Sequence, residues 1–86
     1  MSPLTIRQTI LRVLVQAKPY AVPAETLLAE VNRLLRPALT AEALRTELRV
    51  LLDGSRIDFL PDDLDPTNED ARRWLVCEAG EAALKK

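Results

Sequence analysis

The sequence predicts a small, mainly α-helical domain with one short β-hairpin, and three observations support this fold class. Aliphatic residues dominate the apolar part of the 86-residue chain, and aromatic residues make up only 3% of it. Three segments repeat apolar residues with the period of a helix, and two later segments are short apolar runs typical of strands. A chain of this length forms one domain, so we expect residues 1–86 to share a single core.

The first helix is predicted from about Pro3 to Lys18 by two apolar stripes. The main stripe consists of Ile6, Ile10, Val13, Leu14 and Ala17. A second stripe, formed by Leu4, Leu11 and Val15, lies about 100° further round, so the apolar arc is wider than a surface helix normally shows. Two explanations stay open: a small domain covers both sides of its first helix, or the second stripe is the interface of a homodimer.

Prolines mark the ends of the first two predicted helices. Pro19 breaks the first helix, because proline lacks the backbone N–H and restricts the residue before it. Pro23 suits the first turn of the second helix, and the pair Arg36-Pro37 ends that helix. The second helix therefore presents one face to the core, through Leu27, Leu28, Val31, Leu34 and Leu35.

The third helix is predicted between Thr40 and Gly54. Thr40 is a good N-cap, because its hydroxyl can accept a hydrogen bond from an orphan backbone N–H, and Gly54 occupies a C-cap position. The buried stripe of this helix consists of Leu44, Leu48, Leu51 and Leu52. The opposite side is polar and consists of Glu42, Arg45, Thr46, Arg49 and Asp53.

A change from helical to two-residue periodicity after Gly54 predicts a β-hairpin. Ile57 and Phe59 lie on one side of the first strand, and the apolar run from Trp74 to Cys77 forms the second, so the two pair most simply as antiparallel strands. The acidic loop, residues 61–71, carries no Lys or Arg and has five carboxylates, on Asp62, Asp63, Asp65, Glu69 and Asp70. The ending "CEAGEAALKK" is expected to form a short helical segment that covers the core.

The composition excludes several kinds of chemistry. One cysteine and no histidine rule out an internal disulfide and the common zinc ligand sets. The two glycines, Gly54 and Gly80, cannot make a phosphate-binding loop, and Ser2 and Ser55 have no histidine to activate them. Cys77 is expected in the strand core with a neutral thiol. The sequence therefore predicts a protein that is not an enzyme and uses no cofactor or metal.

The apolar segment from Leu4 to Ala17 does not read as a membrane span. It is too short, and Arg7, Gln8 and Arg12 interrupt it. No small-residue cleavage site follows it, as would follow a signal peptide. We therefore expect a soluble, cytoplasmic protein without membrane contacts.

The predicted order of elements is three helices, a hairpin directly after Gly54 and a short final helix. Three stretches that cover most of the chain carry this order: "YAVPAETLLAEVNRLL", "LTAEALRTELRVLLDGSRIDFL" and "RRWLVCEAGEAALKK". Together they resemble a winged-helix (winged helix-turn-helix) domain of the small bacterial or prophage type. The resemblance implies a DNA-binding, transcription-regulatory protein, although winged helices also serve as protein–protein adaptors.

The resemblance also implies which residues meet DNA, with the third helix, about residues 40–53, as the recognition helix in the major groove. The implied contacts are Glu42, Arg45, Thr46, Arg49 and Arg56. Arg45, Thr46 and Arg49 would read bases, Glu42 would accept a hydrogen bond from a cytosine amino group, and Arg56 would meet a phosphate. The alternative is that Arg45 and Arg49, flanked by acidic residues, form an ordinary solvated ion-pair face.

The acidic loop conflicts with a DNA-binding wing. The isoelectric point is about 5.4, whereas a domain that binds DNA alone usually has a clustered basic face. Three explanations of the loop stay open: a solvated turn, a docking surface for a basic partner, or a divalent-cation site. The alternative function is therefore a protein–protein adaptor that uses this loop or the apolar face of the first helix. The positions of six arginines distinguish the two functions: a single basic face would favour DNA binding, and scattered positions would favour the adaptor. These residues are Arg7, Arg12, Arg33, Arg36, Arg45 and Arg49.

Overall fold

The computed structural model describes residues 2–84, and of Asp70 it describes the backbone only. Lys85 and Lys86, at the end of the predicted terminal helical segment, lie outside the described residues. The elements are α1 (Pro3–Ala17), β1 (Val22–Pro23), α2 (Ala24–Leu34), α3 (Ala41–Asp53), β2 (Ile57–Leu60), a 3-10 turn (Glu69–Ala71), β3 (Arg73–Val76) and α4 (Glu78–Leu84). The mainly helical class with a small antiparallel sheet is confirmed.

Side-chain caps fix where two of the helices begin. The Thr40 hydroxyl accepts a hydrogen bond from the N–H of Ala43 at 3.0 Å, which confirms the predicted N-cap of α3. Ser2 caps α1 in the same way, since its hydroxyl accepts a hydrogen bond from the N–H of Thr5 at 3.3 Å. The start of α3 is therefore set locally, by the residue before it.

The turn between α2 and α3 is held by one asparagine. The side-chain N–H of Asn32 donates to the carbonyl of Leu39 at 3.1 Å, and the N–H of Leu39 donates to the Asn32 side-chain oxygen at 2.7 Å. Asn32 lies on the last turn of α2 and Leu39 lies just before α3. This pair of hydrogen bonds positions α3 relative to α2.

The sheet has three antiparallel strands in the order β1-β3-β2. The predicted hairpin is formed by β2 and β3, with Ile57 opposite Val76 and Phe59 opposite Trp74. The edge strand β1 was not predicted, and in it Val22 pairs with Trp74. A two-residue strand that contains a proline has no alternation to detect, and proline is tolerated at a sheet edge because it needs no partner for an N–H.

The connection from α3 to β2 differs in one detail from the prediction. Gly54 is the C-cap of α3, as predicted, but its φ is −85°, which any residue can adopt. The left-handed conformation falls on Ser55 instead, with φ 59°. The backbone strain in this turn therefore lies one residue after the glycine.

The core is aliphatic and is built around α1, which packs against α2, α3, α4 and β3. Its six most deeply buried side chains are Ile10, Leu14, Leu27, Val31, Leu51 and Ile57. Of the terminal helical segment, Ala83 and Leu84 pack against this core, whereas Ala82 is exposed. The close approach of α4 depends on Gly80, because a Cβ there would collide with the carbonyl oxygen of Arg56 and lie 2.8 Å from Val76 Cγ2.

Candidate functional site

The polar face of α3 brings together four of the five predicted DNA contacts. Glu42, Arg45, Thr46 and Arg49 are all exposed and share one side of the helix. The other side of α3 is anchored in the core by Leu44, Leu48 and Leu51. A rigid helix therefore presents two guanidinium groups, a hydroxyl and a carboxylate to solvent.

The side chains on this face also interact within the chain. Arg49 Nη2 lies 4.0 Å from Glu69 Oε2, and Arg72 Nη1 lies 3.9 Å from Glu69 Oε1. The Thr46 hydroxyl donates to the carbonyl of Glu42 at 3.1 Å, and Arg45 also has a partner in the chain. The pair between Arg49 and Glu69 is long and exposed, and exposed ion pairs contribute only about 0–1 kcal/mol. A ligand anion can therefore replace Glu69 at Arg49 with little loss.

Arg56, the fifth predicted contact, lies elsewhere. It borders a small pocket of about 160 Å³ together with Leu4, Arg7 and Ala83. Arg7 Nε donates to Glu47 Oε2 at 2.8 Å, and Glu47 lies about 160° around α3 from Arg49. The structure therefore does not place Arg56 with the α3 contacts, but near the opposite flank of the helix.

The six arginines whose positions distinguish DNA binding from an adaptor function do not form one continuous basic face. Arg7 and Arg49 lie on opposite flanks of α3, and Arg7 is paired with Glu47. Arg33 pairs with Glu30 at 3.3 Å, and Arg36 donates to a carbonyl oxygen at the end of α2. Any contact with a polyanion through α3 therefore rests on Arg45 and Arg49.

The second stripe of α1 packs largely inside its own chain. Leu11 is only 3% exposed and belongs to the core, and Val15 is half-buried against it. Leu4 alone remains open, with 62% of its surface exposed. The core, which includes α4 and β3, already covers Leu11. The assignment of Leu11 to a dimer interface is therefore wrong.

The acidic loop connects β2 to β3 and ends in the 3-10 turn. Asp63, Asp65 and Glu69 are exposed and Asp62 is half-buried, whereas the side chain of Asp70 lies outside the described part. The Thr67 hydroxyl donates to Asp65 Oδ1 at 3.3 Å, and the N–H of Asn68 donates to the carbonyl of the same aspartate at 3.1 Å. Leu64, at 95% exposed, stands between two of these aspartates. Among the described side chains of residues 2–84, which do not include that of Asp70, no cluster of three or more acidic or sulfur side chains is arranged to hold a metal ion.

A groove of about 410 Å³, which we call the α3 groove, opens beside the polar face between α2, α3 and β3. Its apolar lining comes from Leu28, Leu44, Leu48, Leu52 and Trp74. Arg45, Arg49 and Arg72 line it with cationic groups, and Glu25 and Glu69 with anionic ones. The predicted DNA contacts Arg45 and Arg49 are thus also groove residues.

Two nitrogen donors next to this groove have no acceptor. Trp74 Nε1 and Arg72 Nε are buried, and no hydrogen-bond acceptor contacts either among the described residues. The Arg72 guanidinium lies 4.0 Å above the Phe59 ring, and that ring lies 5.5 Å from the Trp74 ring. A buried donor left without an acceptor costs about 1–3 kcal/mol, so an acceptor that reached these two atoms would be favourable.

Cys77 lies after β3 and not within it. Its position is out of phase with the inward residues Trp74 and Val76, and its side chain is half-buried, so the placement in the strand core is wrong. Burial raises the pKa of the Cys77 thiol, and the negative charge of Asp58 raises it further. The thiol is therefore neutral at ordinary pH, as expected, but because of partial burial and a nearby carboxylate.

Comparisons with protein-family models, with curated proteins and with solved structures found no match to this chain. Within residues 2–84, there is also no helix with the length and apolar character that crossing a bilayer requires. The functional assignment therefore depends on the chemistry of α3, the α3 groove and the acidic loop.

Sequence reasoning missed Arg72 and Trp74 as neighbours of the α3 face. A signal for Arg72 was present, because it directly precedes β3 and is in two-residue phase with the inward residues Trp74 and Val76. No comparable signal exists for Glu69. Its approach to Arg49 depends on the 3-10 turn, which periodicity does not predict.

Proposed function

We propose that this chain is a winged-helix DNA-binding module with a transcription-regulatory role, and that α3 is its recognition helix. The observation that carries the proposal is the exposed row of Arg45, Thr46 and Arg49 on a helix whose other side is fixed in the core. The winged-helix part of the proposal rests on the resemblance of the sequence, and the sheet contains a third strand, β1, that this resemblance did not predict.

In this proposal the two arginines of the row share one role and Thr46 has another. Arg45 and Arg49 donate paired hydrogen bonds to guanine edges or single ones to phosphates, and Thr46 contacts a base through its methyl or hydroxyl. Glu42, at the N-terminal end of α3, accepts from a cytosine amino group. Arg49 exchanges its long contact with Glu69 for the DNA.

The acidic loop restricts how the duplex is approached. Most DNA affinity comes from phosphate contacts, and like charges within a Debye length of about 8 Å repel. We therefore propose that α3 enters the groove while the loop is held away from the phosphates. A homodimer would present two α3 helices, and Leu4 is the residue of the second stripe that is open enough to contribute to its interface.

The test is a fluorescence anisotropy titration of a fluorescent random-sequence duplex at low salt. The double variant Arg45→Ala with Arg49→Ala should weaken binding by about tenfold or more, because it removes both guanidinium groups of the face. Its melting temperature should stay close to that of the wild type, since both side chains are exposed.

The matched control is Arg12→Ala with Arg33→Ala. These exposed arginines lie on α1 and α2, so the control changes the net charge equally without touching α3. Its duplex affinity should fall by less than about threefold. Equal losses in the two double variants would show that binding follows net charge alone, which would contradict the role of α3.

A protein–protein adaptor is the second candidate function. It is favoured by the arginines, because Arg7, Arg33 and Arg36 do not form one basic face with Arg45 and Arg49. It is also favoured by Leu64, which is 95% exposed and stands among Asp62, Asp63 and Asp65. An apolar side chain surrounded by carboxylates suits a partner whose apolar pocket has a basic rim. Failure of the wild type to bind duplex at low salt, with normal folding, would favour this candidate over DNA.

A further inference from the structure

The α3 groove has the dimensions and lining of a small-molecule site. Its volume of about 410 Å³ lies within the range of small-molecule and cofactor pockets, roughly 300–1,000 Å³. Leu28 and Leu52 are only half-buried and contribute apolar surface to the lining. Such sites combine apolar walls with a few polar groups that orient the ligand.

Two buried nitrogen donors at this groove have no acceptor among the described side chains. Trp74 is 5% exposed, and its indole N–H has no acceptor within the described residues. The Nε–H of Arg72 is in the same condition, and both residues line the groove. A ligand that brings an oxygen to this end supplies what both donors lack.

The charges favour an anionic oxygen. Three guanidinium groups line the groove against two carboxylates, Glu25 and Glu69. Glu69 contacts Arg49 and Arg72 only at 4.0 and 3.9 Å, which is too long for a good charge-assisted hydrogen bond. A carboxylate can form shorter, paired hydrogen bonds with the same guanidinium groups.

We propose that the α3 groove binds a small apolar carboxylic acid in its ionised form. The apolar body lies against Leu28 and Leu52, and the carboxylate lies at the end formed by Arg72 and Trp74. Both donors are shielded from solvent, so the proposal requires the outer part of the Arg72 side chain to move before the carboxylate can reach them. This inference does not rest on the proposed DNA binding, although Arg45 and Arg49 both line the groove and lie on the α3 face.

The tryptophan provides a direct readout, because the chain contains only one. We would titrate the 15N-labelled protein with 4-phenylbutyrate and follow the indole N–H signal of Trp74, with 4-phenylbutanamide as the neutral analogue. The expected result is a saturable shift of this signal with the acid and an affinity at least tenfold weaker with the amide. A shift that does not saturate, or an amide that binds as tightly as the acid, would overturn the proposal.

Two substitutions with matched controls locate the site. Arg72→Gln should weaken binding of 4-phenylbutyrate at least tenfold, whereas Arg73→Gln, at an exposed residue outside the groove, should leave it within twofold. Ala41→Phe should fill the groove from its exposed edge and abolish binding, whereas Ala29→Phe, on the exposed side of α2, should not. The dispersion of the amide signals shows in the same spectra that each variant is folded.

These variants also separate the groove from other sites. Unchanged binding in folded Arg72→Gln and folded Ala41→Phe would place the acid elsewhere and overturn the proposal. Binding of an acidic peptide from residues 61–68 at the indole, without binding of 4-phenylbutyrate, would assign the groove to protein contacts instead and would also overturn it.

Discussion

Gly80 shows how a single missing side chain sets the packing of a whole helix. The backbone of α4 approaches the carbonyl of Arg56 so closely that a Cβ does not fit. The N–H of Cys77 donates to the same carbonyl at 2.9 Å, so this oxygen cannot move away without loss of that hydrogen bond. The close contact between α4 and the start of β2 therefore requires glycine.

Gly80→Ala should lower the free energy of unfolding by about 1–3 kcal/mol, because overpacking against a fixed backbone atom forces α4 outward. Gly54→Ala is the control, since its Cβ would meet only ordinary contacts at 3.6 and 3.7 Å and its φ suits alanine. Urea unfolding of both variants measures the difference. Equal effects at the two glycines would contradict this account of α4.

Ser55→Gly should stabilise the protein by up to about 1 kcal/mol, because a left-handed conformation is unfavourable for residues with a Cβ. The N–H of Ser55 already donates to the carbonyl of Leu52 at 3.0 Å, and glycine retains that bond. Thermal unfolding provides the measurement. A lower melting temperature would show that the serine side chain stabilises the turn.

Cys77 should react slowly with iodoacetamide in the folded protein. Its pKa is raised by burial and by Asp58, so at a given pH less thiolate is present than in the unfolded chain. The unfolded chain loses its thiol proton at a lower pH than the folded chain. The contribution of Cys77 to the free energy of unfolding is therefore fully present below the ordinary thiol pKa and is lost as the pH rises above it. The test is the rate of iodoacetamide labelling as a function of pH, measured for the native protein and for the protein unfolded in urea. Equal pH profiles in the two states would contradict the raised pKa of the folded thiol.

At the scale of elements, apolar periodicity predicted correctly the helices and strands that are formed by long amphipathic segments. The three helices and the hairpin lie where apolar spacing placed them, and Thr40 caps α3 as expected. The strand β1 escaped prediction because two residues with a proline show no period. Leu11 was assigned to an interface because a stripe on one helix does not reveal whether its own chain or a partner covers it.

Asn32→Ala should destabilise the protein by about 1–2 kcal/mol, because it removes both hydrogen bonds that hold Leu39 and so loosens the turn before α3. Arg33→Ala is the control at the neighbouring exposed position, where only a surface pair with Glu30 is lost. Urea midpoints of the two variants give the comparison. If both variants lose the same amount, the turn is held by other contacts.

At the scale of the molecule, the proposed DNA binding depends more on where the charges lie than on the net charge. Glu69, in the acidic loop, contacts Arg49 on the α3 face at 4.0 Å. The residue types at the candidate site were readable from the sequence, but the approach of the loop to α3 was not, because irregular backbone determines it. The loop therefore acts on the same face that is proposed to bind DNA.

Neutralising the loop with Asp62→Asn, Asp63→Asn and Asp65→Asn should tighten duplex binding about threefold to tenfold at low salt, because repulsion from the phosphates is reduced. Glu69 stays in place, so its contacts with Arg49 and Arg72 are kept. The gain should vanish at high salt. An affinity that is unchanged at low salt would place the loop beyond electrostatic reach of the duplex.

The central claim is that α3 binds duplex DNA, and the salt dependence of binding tests it most directly. Anisotropy of a fluorescent random-sequence duplex would be followed with the wild-type protein over a series of salt concentrations. We predict saturable binding at low salt that weakens with a log–log slope of about −1 to −2, as one or two arginine–phosphate contacts require. No binding even at the lowest salt would contradict the claim and direct the search to a protein partner.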